Sequence, residues 1–148
     1  MTVHLLKLCV GIDSVEQLEA SQRRRLAAAA AAGRPAELLH RTRHRPRRDA
    51  EVLAGGSLYW IIKGFVRCRQ PIIRLDVLED GDEGKRCGIV MAPELIRTRL
   101  QARRPHQGWR YLEPRDAPAD LARQAGLAEQ EDEPPAEMAA ALRELGLI

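Results

Sequence analysis

Apolar residues fall into short runs separated by glycine, proline and charge, and each run predicts one element. Residues 3–10 (VHLLKLCV) form a nearly unbroken apolar run that Gly11 stops, which predicts a buried first strand. Ser14 followed by Gln17 makes a capping box, and Val15, Leu18 and Leu26 give the helix behind it an apolar side. The alanine run 27–32 extends that helix, since alanine has the best helix propensity, and Gly33-Arg34-Pro35 ends it. Residues 40–48 (HRTRHRPRR) have no apolar periodicity. They read either as an exposed strand, with His40, Thr42 and His44 alternating with Arg41, Arg43 and Arg45, or as a disordered basic loop. Pro46 limits any strand there to an edge. Residues 47–54 suit a short helix with Val52 and Leu53 inward, ended by Gly55-Gly56.

The remaining pattern is mostly strand. Residues 57–63 (SLYWIIK) are rich in β-branched and aromatic side chains, and Gly64 permits a turn. Residues 65–70 and 72–78 continue as strand, broken at Pro71. Asp80-Gly81-Asp82 with Gly84 marks a hairpin turn, and 86–91 (RCGIVM) returns as its partner. Residues 96–103 predict a further strand and 108–112 (GWRYL) a short closing one. Residues 116–125 suit a short helix and 129–135 an acidic linker. Pro135, Met138, Leu142 and Leu145 then predict a terminal amphipathic helix. Helices that precede a run of strands predict an α+β fold. Its sheet is expected to be small, mostly antiparallel and barrel-like, with a few flanking helices. One domain is expected over 1–125, followed by the acidic linker and amphipathic helix of 126–148.

Length and composition fit this picture. A chain of 148 residues can bury one real core, and with aromatics at 3% that core must rest on aliphatic side chains. The net charge of +3 hides an asymmetry: residues 23–48 carry a net +8 and residues 113–148 a net −6. The basic stretch can attract a polyanion or be neutralised by the chain's own acidic end. Cys9, Cys68 and Cys87 form no CxxC pair, which argues against a zinc knuckle or a thioredoxin-like motif. They read as buried free thiols in a reducing compartment, so a cytoplasmic location is expected. No apolar run approaches the ~20 residues that span a bilayer. The first residues lack the basic lead of a signal peptide and read as a strand.

Candidate chemistry gathers around the aromatics. Along a strand at 57–63, Leu58, Trp60 and Ile62 face one way and Tyr59, Ile61 and Lys63 the other. Beyond Gly64, Arg67 and Arg69 share a face opposite Val66, Cys68 and Gln70. In GWRYL, Trp109 and Tyr111 share a face with Arg110 opposite. Four of the five aromatics thus lie in two segments, either as a core anchor or as a ligand pocket. A pocket near Lys7, Tyr59, Lys63, Arg67, Arg69, Trp109 and Arg110 would suit a stacked base and its phosphate. Arg45, Arg47 and Arg48 are candidate phosphate contacts, or else belong to a solvated loop. No HExxH, GxSxG, P-loop or GxGxxG motif occurs, so neither a metal nor a cofactor is expected.

The stretches HLLKLCVGIDSVEQL (4–18), GGSLYWIIKGFVRCRQPII (55–73) and GWRYLEPRDAP (108–118) resemble a bacterial family catalogued as domain of unknown function 1489. The resemblance spreads over most of residues 1–121 and leaves the segment after about residue 125 outside. It implies no activity. The order of parts is also similar to the PUA-like superfamily, with its ASCH and EVE domains. A strand carrying Lys7 leads to a helix opened by DSVEQL. A short helix with Arg47, Arg48 and Glu51 then precedes a Gly-Gly turn and a strand. That similarity implies a small β-barrel binding RNA or modified bases. The expected function is therefore an RNA- or nucleobase-binding module. The alternatives are a small enzyme on a nucleotide-like substrate, using Lys7, Arg67 or Cys68, and a protein–protein adaptor docking through the acidic C-terminal helix.

Overall fold

A computed structural model describes residues 1–79 and 85–121. The expected turn at 80–84 and the expected linker and terminal helix lie outside the described residues. The first strand, β1 (His4–Leu8), leads to α1 (Val15–Ala31). The Ser14 half of the predicted capping box forms, with Gln17 N donating to Ser14 Oγ at 3.1 Å, while Gln17 Oε1 accepts from Asp13 N, one residue before the cap, at 2.8 Å. The ambiguous basic segment divides. Its beginning is an edge strand, β2 (Leu38–Thr42), and the remainder loops into α2 (Asp49–Leu53). In α2 Val52 is fully buried, whereas Leu53, expected inward, is 42% exposed. Five residues make barely more than one turn, so only one side of α2 reaches the sheet.

Five more strands follow: β3 (Ser57–Ile62), β4 (Phe65–Glu79), β5 (Lys85–Met91), β6 (Ile96–Ala102) and β7 (Trp109–Leu112). They join one mixed, mostly antiparallel seven-stranded sheet in the order β2-β5-β4-β3-β1-β7, with β6 also beside β4. The pair β1–β3 is parallel and the other pairs are antiparallel. The expected barrel does not form. Closure needs the outermost strands to pair, but β2 pairs β5 and β7 pairs β1, at opposite ends of the sheet. Of the short helix expected over 116–125, residues 122–125 lie outside the described residues; the described part holds the end of a 3-10 turn (Pro114–Asp116) and an isolated bridge between Thr98 and Asp120.

Strand β4 organises the sheet. Phe65–Arg69 pairs with β6, and Ile72–Glu79 pairs with β5 on the return of the hairpin. Pro71 does not break the strand, as the pattern suggested. It sits where the partner changes from β6 to β5, so its missing N–H interrupts neither ladder. A bulge at Arg67 shifts the register against both β3 and β6. It puts Val66 and Cys68 on opposite faces, although two-residue spacing would place them together: Val66 packs with Tyr59 and Ile61, and Cys68 with Leu58, Trp60 and Ile62. All six residues of β3 are buried, so the sheet is covered on both faces there.

Candidate functional site

Register brings the aromatic segments together. Lys7 on β1 pairs with Trp109 on β7 and with Trp60 on β3, and Trp60 pairs with Cys68 on β4. One face of the sheet therefore carries the row Trp109, Lys7, Trp60, Cys68. Tyr111, two residues past Trp109, lies on the same face. Trp60 is a core residue at 3% exposure, while Trp109 and Tyr111 lie half-buried at the rim of the same cluster.

Beside that rim the loop after β2 and strand β7 enclose a groove of about 530 Å³. Its walls include Arg43, Arg45, Arg47, Gly108, Trp109 and Tyr111. The two rings meet edge to face, 4.9 Å between centroids. Trp109 Nε1 donates to the His44 carbonyl at 2.8 Å, which ties β7 to the basic loop. Gly108 has φ +70° and open space where a Cβ would stand, so the turn into β7 is set by backbone conformation. Arg45 donates to the Leu75 carbonyl at 3.1 Å and to Asp49 at 3.2 Å. Arg43 and Arg47 are exposed and have no ion-pair partner among the described residues. Arg48 is different. It holds Glu51 through two nitrogens (2.7 and 2.9 Å) and Glu113 at 2.8 Å, with its guanidinium 5.2 Å from the Tyr111 ring centre. Its charge is spent inside the fold, and its backbone N–H, donating to Tyr111 Oη at 3.1 Å, fixes that ring. Of the three predicted phosphate contacts, the groove takes Arg45 and Arg47, and Arg48 braces its wall.

The other predicted site residues lie elsewhere. Tyr59 is buried on the opposite face, with its ring 5.0 Å from that of His4. Arg69, on Tyr59's face, grips Asp120 through two 2.8 Å bonds and also reaches Ser57 Oγ. Arg67, in the bulge, is buried, donates to the Ile62 carbonyl at 2.7 Å and lies over the Phe65 ring. Lys63 is exposed at the tight β3–β4 turn with φ 49°. Arg110 is exposed on the strand face opposite Trp109. The structure thus brings Trp109 together with Arg45 and Arg47, and separates them from Tyr59, Lys63, Arg67, Arg69 and Arg110.

Lys7 lines a second cavity of about 220 Å³ between α1 and the sheet, with Cys9, Gln22, Arg25, His40 and Trp60. His40 stands edge-on to Trp60 at 5.1 Å, and its Nε2 is buried without a hydrogen-bond partner. Burial first, then the charges of Lys7 and Arg25, push its pKa down to about 4. Burial also pushes the Cys9 thiol up to about 11 and that of Cys68 up to about 12, which leaves both protonated and poor as nucleophiles. Among the described residues no group of three His, Cys, Asp or Glu is placed to hold a metal, and no helix is long and apolar enough to cross a membrane.

His40 gives a pH prediction. It is neutral when folded, whereas in the unfolded chain it titrates near its ordinary 6.5. The folded state therefore loses stability as pH falls from about 6.5 toward 4, by about 2 kcal/mol from this group. Burial lowers the pKa of His4 and His106 as well, so these add to the slope. Urea unfolding between pH 7.5 and 4.5 should give a flatter profile for His40→Gln than for the native chain. An identical slope would remove His40 from the acid response.

Sequence reasoning left Arg43, Tyr111 and His40 out of the candidate site. The alternation that paired Trp109 with Tyr111 already placed the tyrosine. His40 carried a weaker signal, two residues from Leu38 on a strand whose partner was not legible. The family model described as a protein of unknown function, DUF1489, matches residues 5–148. It therefore takes in the C-terminal segment that the resemblance of separate stretches left outside. No curated protein and no solved structure matches the chain. Nothing in these comparisons supports the PUA-like similarity.

Proposed function

Since the chain belongs to the DUF1489 family of proteins of unknown function, which hands down no activity, we propose from the groove itself that it is a binding module for single-stranded RNA or another nucleobase-bearing phosphate. The observation that carries this reading is a 530 Å³ groove lined by two aromatic rings and by exposed arginines, of which Arg43 and Arg47 have no ion-pair partner among the described residues. Guanidinium groups take phosphate through paired N–H donors, and an aromatic rim offers a surface on which a base can stack. Trp109 already uses its Nε1 on His44, so it offers ring surface rather than a donor. Arg48 and Tyr111 keep that rim in place.

The test is binding of short single-stranded RNA across a salt series. Contacts from Arg43, Arg45 and Arg47 predict a slope of log affinity against log salt of about −2, from about −0.7 per phosphate. Arg43→Ala/Arg47→Ala should reduce that slope by about 1.4. Trp109→Leu should weaken binding about tenfold, the loss of one base stack, with the circular dichroism spectrum unchanged. Binding that responds to the arginines and ignores Trp109 would mean unspecific charge attraction. Absence of binding at low salt would overturn the reading.

A further inference from the structure

We propose that the cavity between α1 and the sheet is a second binding site, built for a small monocarboxylate with a short apolar body. It is independent of the nucleobase reading and uses different residues. The volume of about 220 Å³ equals the share of about seven waters, which suits a ligand of that many heavy atoms. Lys7 stands half-buried in its wall, and its side chain has no hydrogen bond or ion pair among the described residues. A partly desolvated cation without a counter-charge favours an anion beside it. His40 adds an imidazole to the lining, with its Nε2 buried and without a hydrogen-bond partner. Arg25 adds positive charge from α1, its side chain fixed by a 2.6 Å bond to the Leu39 carbonyl.

The rest of the lining selects the body of the ligand. Ile12, Leu18, Met91 and the Trp60 ring are apolar. The polar atoms of Gln22 and Trp60 are already engaged with Gln70, so they do not compete for the ligand. Two cations, one imidazole and a hydrocarbon wall fit a carboxylate on a short chain better than a bare phosphate, whose further oxygens would be left among apolar groups.

The experiment is calorimetric titration of the full chain with butyrate, butyramide and inorganic phosphate, with the His40 imidazole resonances followed in parallel. Saturable butyrate binding that moves those resonances is expected, with butyramide and phosphate at least tenfold weaker. Lys7→Met should lower butyrate affinity at least tenfold and leave RNA binding unchanged. Arg43→Ala/Arg47→Ala should do the reverse, so failure of either site is read separately. The comparison of butyrate with butyramide needs no variant and stands even if Lys7→Met fails to fold. Equal affinity for butyramide or phosphate, an undisturbed His40, or absence of saturation would overturn the proposal.

Discussion

Replacing Gln70 with Met is expected to lower folding stability by about 4 kcal/mol, although the two side chains are similar in length. Gln70 has 0% exposure and uses every hydrogen-bonding position of its amide. Its Oε1 accepts from Trp60 Nε1 at 2.9 Å and from Gln22 Nε2 at 2.8 Å. Its Nε2 donates to Gln22 Oε1 at 2.9 Å and to the Ala92 carbonyl at 3.1 Å. Methionine fills the space without forming these bonds; the indole N–H and the Gln22 amide stay buried and unpaired, and the half-buried Ala92 carbonyl loses its donor. Each such group costs about 1–3 kcal/mol, which is far more than a net hydrogen bond contributes. Denaturant unfolding measures the loss. A cost below about 1 kcal/mol would mean that water or a rearranged Gln22 replaces the amide.

The double variant Gln22→Met/Gln70→Met sharpens the test. Removing both amides leaves fewer orphaned groups than removing Gln70 alone, so the pair should cost about 1–2 kcal/mol less than the sum of the single changes. The same variants bear on ligand binding. Gln22 and Trp60 both line the smaller cavity, and Gln70 alone links them. With Gln22 and the indole N–H engaged on Gln70, the cavity meets a ligand through Lys7, Arg25 and the His40 imidazole. Freeing Gln22 and the indole N–H removes that selectivity.

This network also marks where the sequence stops being legible. Strands, the Ser14 cap and the shared face of Trp109 and Tyr111 follow from spacing of two or from local turn chemistry, and they appear where the pattern puts them. The face occupied by Gln70 was legible only as alternation, and its contact with Gln22 joins α1 to β4 across 48 positions, which no local rule encodes. The bulge at Arg67 has the same character. One extra residue reverses the phase of β4, so Arg67 and Arg69, paired by alternation, lead to a buried carbonyl and to Asp120 respectively. The open sheet was beyond reach as well, because closure depends on which strands end at the edges. The groove was half legible: charge and aromatic content named both of its walls, and long-range contacts such as Trp109–His44 and Arg48–Tyr111 show that they meet.

The second large effect is expected at Gly56. Gly56→Ala should cost about 4 kcal/mol, at or beyond the usual upper end for overpacking. A Cβ there would lie within 2.5 Å of the carbonyl oxygens of both Val52 and Val3. Neither oxygen can rotate away, because each belongs to backbone that the fold holds. Gly56 N donates to the Val52 carbonyl at 2.9 Å, Ile72 N donates to the Gly56 carbonyl at 3.0 Å, and Val3 N donates to the Glu51 carbonyl at 3.2 Å. The start of β1, the end of α2 and the start of β3 therefore meet around a hydrogen. The adjacent Gly55 is the control. It has φ +90° but nothing nearer than 4.0 Å, so Gly55→Ala suffers backbone strain alone, about 1–2 kcal/mol. The steric cost at Gly56 should also reach the groove. The nearer of the two oxygens belongs to Val52 in α2, and α2 carries Glu51, which holds the Arg48 guanidinium over Tyr111. Thermal unfolding of the two alanine variants separates the effects: a large loss at Gly56 beside a small one at Gly55 indicates collision, and equal losses would indicate that backbone conformation alone governs the pair.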